Sequence, residues 1–130
     1  MPKESEVERT MRRHLKAQGF TVEERTGVHG VDISASKDGR THFIEVQGNT
    51  KPDGRPFTSS QKYTHLLRAI GQVCLRLNDD PEAVLGLALP EDAHYRKKVD
   101  ELRTALKKLC VIVYFVDSEG IVEECRGQLK

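Results

Sequence analysis

Apolar residues recur at helical spacing near the start of the chain, where Val7, Met11 and Leu15 fall on successive turns and Gly19 stands where helices commonly end. The pattern predicts an amphipathic helix over about 4–18. Phe20 to Arg25 alternates as a short strand, and Gly27-Val28-His29-Gly30 reads as a turn. Two β-rich runs follow, 31–36 and 41–47, on either side of Lys37-Asp38-Gly39-Arg40. Asp-Gly is a strong two-residue hairpin signal, so these runs are expected to pair antiparallel. A polar loop fills 48–59, long enough to suggest that it borders a functional site.

A second helix is then predicted, with Tyr63, Leu66, Leu67, Ile70, Val73, Cys74 and Leu77 on its apolar face, Ser59 or Ser60 as its cap, and Asn78-Asp79-Asp80-Pro81 as its end. Ala83 to Leu89 reads as a buried strand. Tyr95, Val99, Leu102, Leu106 and Leu109 form one helical stripe after Pro90, and Cys110 to Val116 is a continuous apolar strand. Ile121 to Cys125 fits an added edge strand after the Glu119-Gly120 turn. The expected order is α-β-β-β-α-β-α-β, an α/β fold with a central mixed sheet flanked by helices.

Length and composition narrow the class. The 130 residues suit one domain with one core, so 1–130 is read as a single unit. Hydrophobic residues make up 37% and charged residues 32%, with no Trp, which implies a modest aliphatic core. The 21 Lys and Arg nearly balance the 20 Asp and Glu, net +1, so a polyanion would have to meet a local patch. No run approaches the roughly 20 apolar residues of a membrane span, and the N-terminus lacks the apolar centre of a signal peptide, so no membrane association and a cytoplasmic location are expected. Cys74, Cys110 and Cys125 form no C-x-x-C pair and read as reduced thiols. No phosphate-loop motif or internal repeat is present.

The hairpin carries the candidate chemistry. Counting outward from the Asp38-Gly39 turn places Asp32 opposite Glu45, and opposed side chains share a face with Cβ atoms about 4.5–5.5 Å apart. Glu45 and Gln47 share that face, while Val31, Ile33 and Ala35 against Ile44 and Val46 make the other face apolar and ready for a helix. Two like charges so placed need compensation. They are either hard oxygen ligands for Mg²⁺ or Mn²⁺, or solvated strand residues held in check by a nearby Lys or Arg.

The element order, with Gly30-Val31-Asp32 on one strand and Ile44-Glu45-Val46-Gln47 on the next, resembles the PD-(D/E)XK, restriction-endonuclease-like nuclease superfamily over nearly the whole chain. The N-terminal half, with Glu8 ahead of Gly19-Phe20, is similar to archaeal Holliday-junction resolvases. The resemblance implies a restriction-endonuclease-like core and a Mg²⁺- or Mn²⁺-dependent nuclease acting on nucleic acid, with DNA as the substrate. It implies Asp32 and Glu45 as metal ligands, the Val46 carbonyl as a further ligand, and Glu8 as an outer or direct one. Glu8 also sits at the rim of the first helix's apolar stripe, with Glu4 its rival one turn earlier; both equally suit the positive end of a helix dipole.

Two positions depart from the family pattern. Val31 stands where the motif has Pro, and Gln47 stands where it has Lys, so the positive charge must come from elsewhere or be absent; some superfamily members carry Gln there. Lys62 in the first turn of the second helix is the favoured substitute, with Lys51 as rival and an ordinary solvated lysine as the plain alternative. With Asp32, Glu45 and Gln47 it completes the expected catalytic group. Gln61, Arg68 and Gln72 lie on one polar side of that helix, facing either phosphates or water. Arg12 and Arg13, within the basic segment Arg9 to Lys16, and Lys51 and Arg55 in the loop are further phosphate contacts. Arg96-Lys97-Lys98 and Lys107-Lys108 read as solvated faces. His29 reads as a turn residue, and His14, His42, His65 and His94 lack metal-ligand spacing. A homodimer would present two sites to two strands. The alternative is a nuclease-like fold without chemistry that binds nucleic acid or proteins, for which Gln47 speaks. A third reading takes the acidic hairpin of an unrelated α/β domain as incidental.

Overall fold

The computed structural model describes residues 2–25 and 30–126. Of the turn predicted over 27–30, residues 27–29, with His29, lie outside the described residues. The elements are α1 (Glu4–Ala17), β1 (Thr21–Val22), β2 (Ile33–Lys37), β3 (Arg40–Val46), α2 (Ser59–Arg76), β4 (Val84–Pro90), α3 (Ala93–Glu101), α4 (Arg103–Lys108), β5 (Ile112–Val116) and β6 (Val122–Arg126). They build one six-stranded mixed sheet in sequence order, β1 to β6. The β1-β2-β3 meander is antiparallel, β3, β4 and β5 are parallel neighbours, and β6 closes the far edge antiparallel to β5.

The parallel strands need crossovers, and helices supply them. The α2 helix links β3 to β4, and α3 and α4 link β4 to β5. Helices therefore cover both faces. Val7, Met11 and Leu15 of α1 join Ile33, Ile44, Val46, Ala88 and Tyr114 on one face. Leu66 and Val73 of α2, Tyr95 and Val99 of α3 and Leu106 of α4 join Phe43, Leu85, Leu87, Leu89, Val113 and Phe115 on the other. The near-continuous apolar runs of β4 and β5 follow from this burial on both sides.

The hairpin register agrees with the count from the turn: Ile33 pairs with Ile44 and Lys37 with Arg40. Asp38 and Gly39 both take positive φ, 53° and 78°, as a two-residue turn matching the strand twist requires.

Several expectations are corrected. The strand expected over Phe20–Arg25 is only two residues long, because its pairing with β2 covers just Thr21 and Val22. Val31 packs on the α2 face rather than the α1 face, since the regular alternation begins only at Ile33. The cap of α2 is Thr58, not Ser59 or Ser60: its hydroxyl accepts from Gln61 N–H at 3.1 Å while the Gln61 side-chain oxygen accepts from Thr58 N–H at 2.9 Å, a capping box. The buried stripe of α2 is Lys62, Leu66, Ala69 and Val73, which leaves Tyr63 and Leu67 exposed. The helix after Pro90 breaks at Leu102 into α3 and α4, and Leu109 is exposed. Cys110 lies outside β5 with φ 57°. All three cysteines are free thiols. Among the described residues, no helix is long and apolar enough to cross a membrane.

Candidate functional site

The β2–β3 ladder ends at the Ile33–Ile44 pair, and the residues just beyond it form the site. Val46 N–H donates to Asp32 Oδ2 at 2.8 Å, where a strand carbonyl would otherwise accept. Asp32 N–H donates to Glu45 Oε2 at 3.0 Å. Each carboxylate is thus aimed by a backbone donor of the opposing segment, and the Asp32 charge acts on the Glu45 carboxyl. In an antiparallel strand the N–H and C=O of one residue leave by the same edge. The Val46 carbonyl accordingly points toward the same mouth, past the end of the β2–β3 pairing.

The first helix brings two further carboxylates. A Cβ on Gly48 would lie 2.3 Å from the Glu4 backbone nitrogen, so only glycine lets the start of α1 seat against the exit of β3. Asn49 N–H donating to the Pro2 carbonyl at 3.0 Å and a bridge between Lys3 and Thr50 fasten that contact. The loop after β3 therefore does border the carboxylates, through its buried first residues Gly48, Asn49 and Thr50. Burial raises the Glu4 carboxyl, and the charges of Asp32 and Glu8 raise it further. Glu4 in turn raises Glu45.

Arg12 is the cation nearest this group. Its Nε pairs with Glu8 at 3.0 Å, and its other nitrogens donate to the carbonyls of Glu23 at 2.5 Å and Asp32 at 3.0 Å. Such an arginine is what a purely structural reading of the acidic pair requires, and it does lower Asp32. Its effect is too small. Burial leads the causes that leave Asp32 above its ordinary value, and burial followed by the Asp32 charge pushes Glu45 up to about 7.

The remaining expected residues are placed as follows. Gln47 is half-buried, its N–H bound to the Ala88 carbonyl at 2.9 Å, and its side-chain amide bonds no other described residue. Lys62 is buried, its ammonium 3.2 Å from Asp92 Oδ1 and 5.8 Å from the centre of the Tyr95 ring. The other Asp92 oxygen caps α3 through Tyr95 N–H at 3.1 Å, and the Tyr95 hydroxyl donates to the Gly48 carbonyl at 3.1 Å. This chain of contacts joins Lys62 to the floor on which Glu4 sits. Gln61 is engaged in its capping box, Arg55 pairs with Asp53 at 2.7 Å, and Arg12 is tied down as described. Arg13 and Arg68 are exposed and Lys51 is half-buried. Asp92 and Gly48 were not singled out from sequence. Asp92, three residues before Tyr95, carries an N-cap signal, and Gly48 directly follows the motif strand.

Among the described residues, no group of three or more His, Cys, Asp or Glu side chains converges closely enough to hold a metal ion. A divalent cation would be met by two carboxylates, Asp32 and Glu45, and the Val46 carbonyl. That hard-oxygen set fits Mg²⁺ or Mn²⁺, which keep waters and share ligands with substrate oxygens.

No family model matches the chain, and no curated protein does. Among solved structures, the fold is similar to an XisH family protein from Nostoc punctiforme PCC 73102, with TM-score 0.62, 21% identity, and 90% of this chain and 95% of that one covered. It is also similar to an fdxN element excision controlling factor protein from Anabaena variabilis, with TM-score 0.61, 21% identity, and 88% and 93% covered. These likenesses show the fold.

Proposed function

We propose that this chain is a Mg²⁺- or Mn²⁺-dependent phosphodiesterase of the PD-(D/E)XK type acting on nucleic acid, with DNA as its substrate. The observation that carries the reading is the pair of bonds that aims both carboxylates at one place, Asp32 N–H to Glu45 at 3.0 Å and Val46 N–H to Asp32 at 2.8 Å. Asp32, Glu45 and the Val46 carbonyl hold the cation, with Glu4 and Glu8 around them. The cation supplies charge stabilisation and a polarised water when bound. The Gln47 amide, which bonds no other described residue, orients that water or a phosphate oxygen. Lys62 supplies positive charge from the buried side, and Asp92 fixes its position. DNA is chosen on the family resemblance and agrees with the excision role named for the Anabaena protein.

The test is incubation with supercoiled, linear, branched and single-stranded DNA in Mg²⁺ or Mn²⁺, and then in chelator. Cleavage that chelator stops and that Asp32→Ala and Glu45→Ala each lower by at least about 100-fold is the expected result. Unchanged cleavage in these variants removes the pair from the mechanism. A second reading, a nuclease-like binding subunit without chemistry, is favoured by Gln47 in place of lysine and by the engagement of Lys62 with Asp92. Retarded DNA that is never cut, under either metal, selects it.

A further inference from the structure

We propose that the outer flank of α1 is the track along which a DNA strand is led to the carboxylates, with Arg9 and Arg13 holding successive phosphates; this rests on the nucleic-acid part of the function proposed above. A groove of about 630 Å³ runs along this flank, lined by Ser5, Glu8, Arg9, Arg12, Arg13 and Lys16. Two of its lining residues link it to the acidic site: Arg12 donates to the Asp32 carbonyl at 3.0 Å, and the Glu8 charge acts on the Asp32 carboxyl.

The cations along the groove do different work. Arg12 is half-buried and consumed by Glu8 and two carbonyls, so it forms the floor. Lys16 is paired with Glu24 at 3.3 Å. Arg9 and Arg13 are exposed and form no ion pair with another described residue. One turn apart on the helix, they stand about 6 Å from each other along its axis and on the same side of it. The loop after β3 offers a poorer path, since its Arg55 is already bound to Asp53. A polyanion is the occupant that suits two exposed guanidiniums that form no ion pair among the described residues and line one groove.

The experiment is fluorescence anisotropy of a short fluorescein-labelled duplex, and of one of its strands, titrated with protein in chelator across a salt series. Arg9→Gln/Arg13→Gln is compared with Lys97→Gln/Lys107→Gln, which removes two exposed cations from α3 and α4 on the opposite face of the sheet. All four positions are exposed, and thermal melts verify that both variants fold. Losing two phosphate contacts should flatten the salt dependence by about 1.8 in slope, making the affinity loss between about 50 and 200 mM salt roughly tenfold smaller, with the control unchanged. An Arg9/Arg13 variant that binds like the parent, a control that weakens as much, or a parent that binds neither probe overturns the track. Because no cleavage is read, a protein that binds through Arg9 and Arg13 yet never cuts retains the track and loses the nuclease reading. One that cuts while binding is indifferent to both arginines does the reverse.

Discussion

Burial and the Asp32 charge push Glu45 up to about 7 from an ordinary 4.5. Between those values the folded chain keeps a proton that the unfolded chain has released, so stability falls as pH rises through that window and is lowest above it. Glu45→Gln keeps an oxygen for the Asp32 N–H and an N–H for the Asp32 carboxylate, without the charge. In chelator at about pH 8 the variant should therefore be more stable than the parent by about 1–2 kcal/mol, less than full linkage because the carboxyl is half in water. Near pH 4 the two should converge. Urea melts at both pH values check this, and a pH-independent difference would mean that the carboxyls do not repel. The pair itself was legible because Asp38-Gly39 permits one turn geometry and so one register. The engagement of Gln61 and Arg12 was not, since a capping box depends on where the helix starts and the Arg12 bonds need carbonyls eleven or more residues away.

Helix positions were legible except for the break at Leu102 that divides the stripe after Pro90 into α3 and α4, and helix rotation was legible less well. In α2 the sequence offers two apolar stripes, and the one containing Tyr63 and Leu67 has the larger side chains. The sheet instead takes the stripe containing Lys62, because Asp92 at the head of α3 pairs with that lysine at 3.2 Å. A buried ion pair across two helices leaves no local pattern, so periodicity places Leu66, Ile70, Val73 and Leu77 against the core but wrongly adds Tyr63 and Leu67 and omits Lys62. The arrangement can be dissected because Asp92 does two jobs, one oxygen capping α3 and the other holding Lys62. Asparagine caps about as well as aspartate but brings no charge. Asp92→Asn should lower stability by about 2–3 kcal/mol, the penalty of leaving Lys62 without its counter-charge, and Asp92→Ala by about 1 kcal/mol more for the lost cap. Chemical denaturation of both variants measures this. Equal stability of Asp92→Asn and the parent would show that the ion pair contributes nothing to α2 packing.

At the scale of the whole molecule, a net charge of +1 conceals a separation of charge. Carboxylates from α1, β3 and the segment before β2 meet at one end of the sheet, while arginines of the same α1 line its outer flank. Composition could not show this, because Glu8, Arg9, Arg12 and Arg13 are neighbours in sequence and are sorted only when Gly48 admits the helix against the strand exit. A divalent cation at the mouth would compete with the proton on Glu45, so binding should strengthen as pH rises through about 7. At about one hundred times its dissociation constant, such an ion stabilises the folded state by about 2.7 kcal/mol, a rise in melting temperature on the order of 10 °C for a domain of this size. Thermal melts with Mn²⁺ should show that rise at about pH 8, much less of it at about pH 5.5, and none in Asp32→Ala at either. The pH contrast matters because nonspecific binding to exposed carboxylates would already be complete well below pH 7. A rise that is equal at both pH values, or that survives Asp32→Ala, would place the ion elsewhere on the surface and deprive the hairpin mouth of its proposed role.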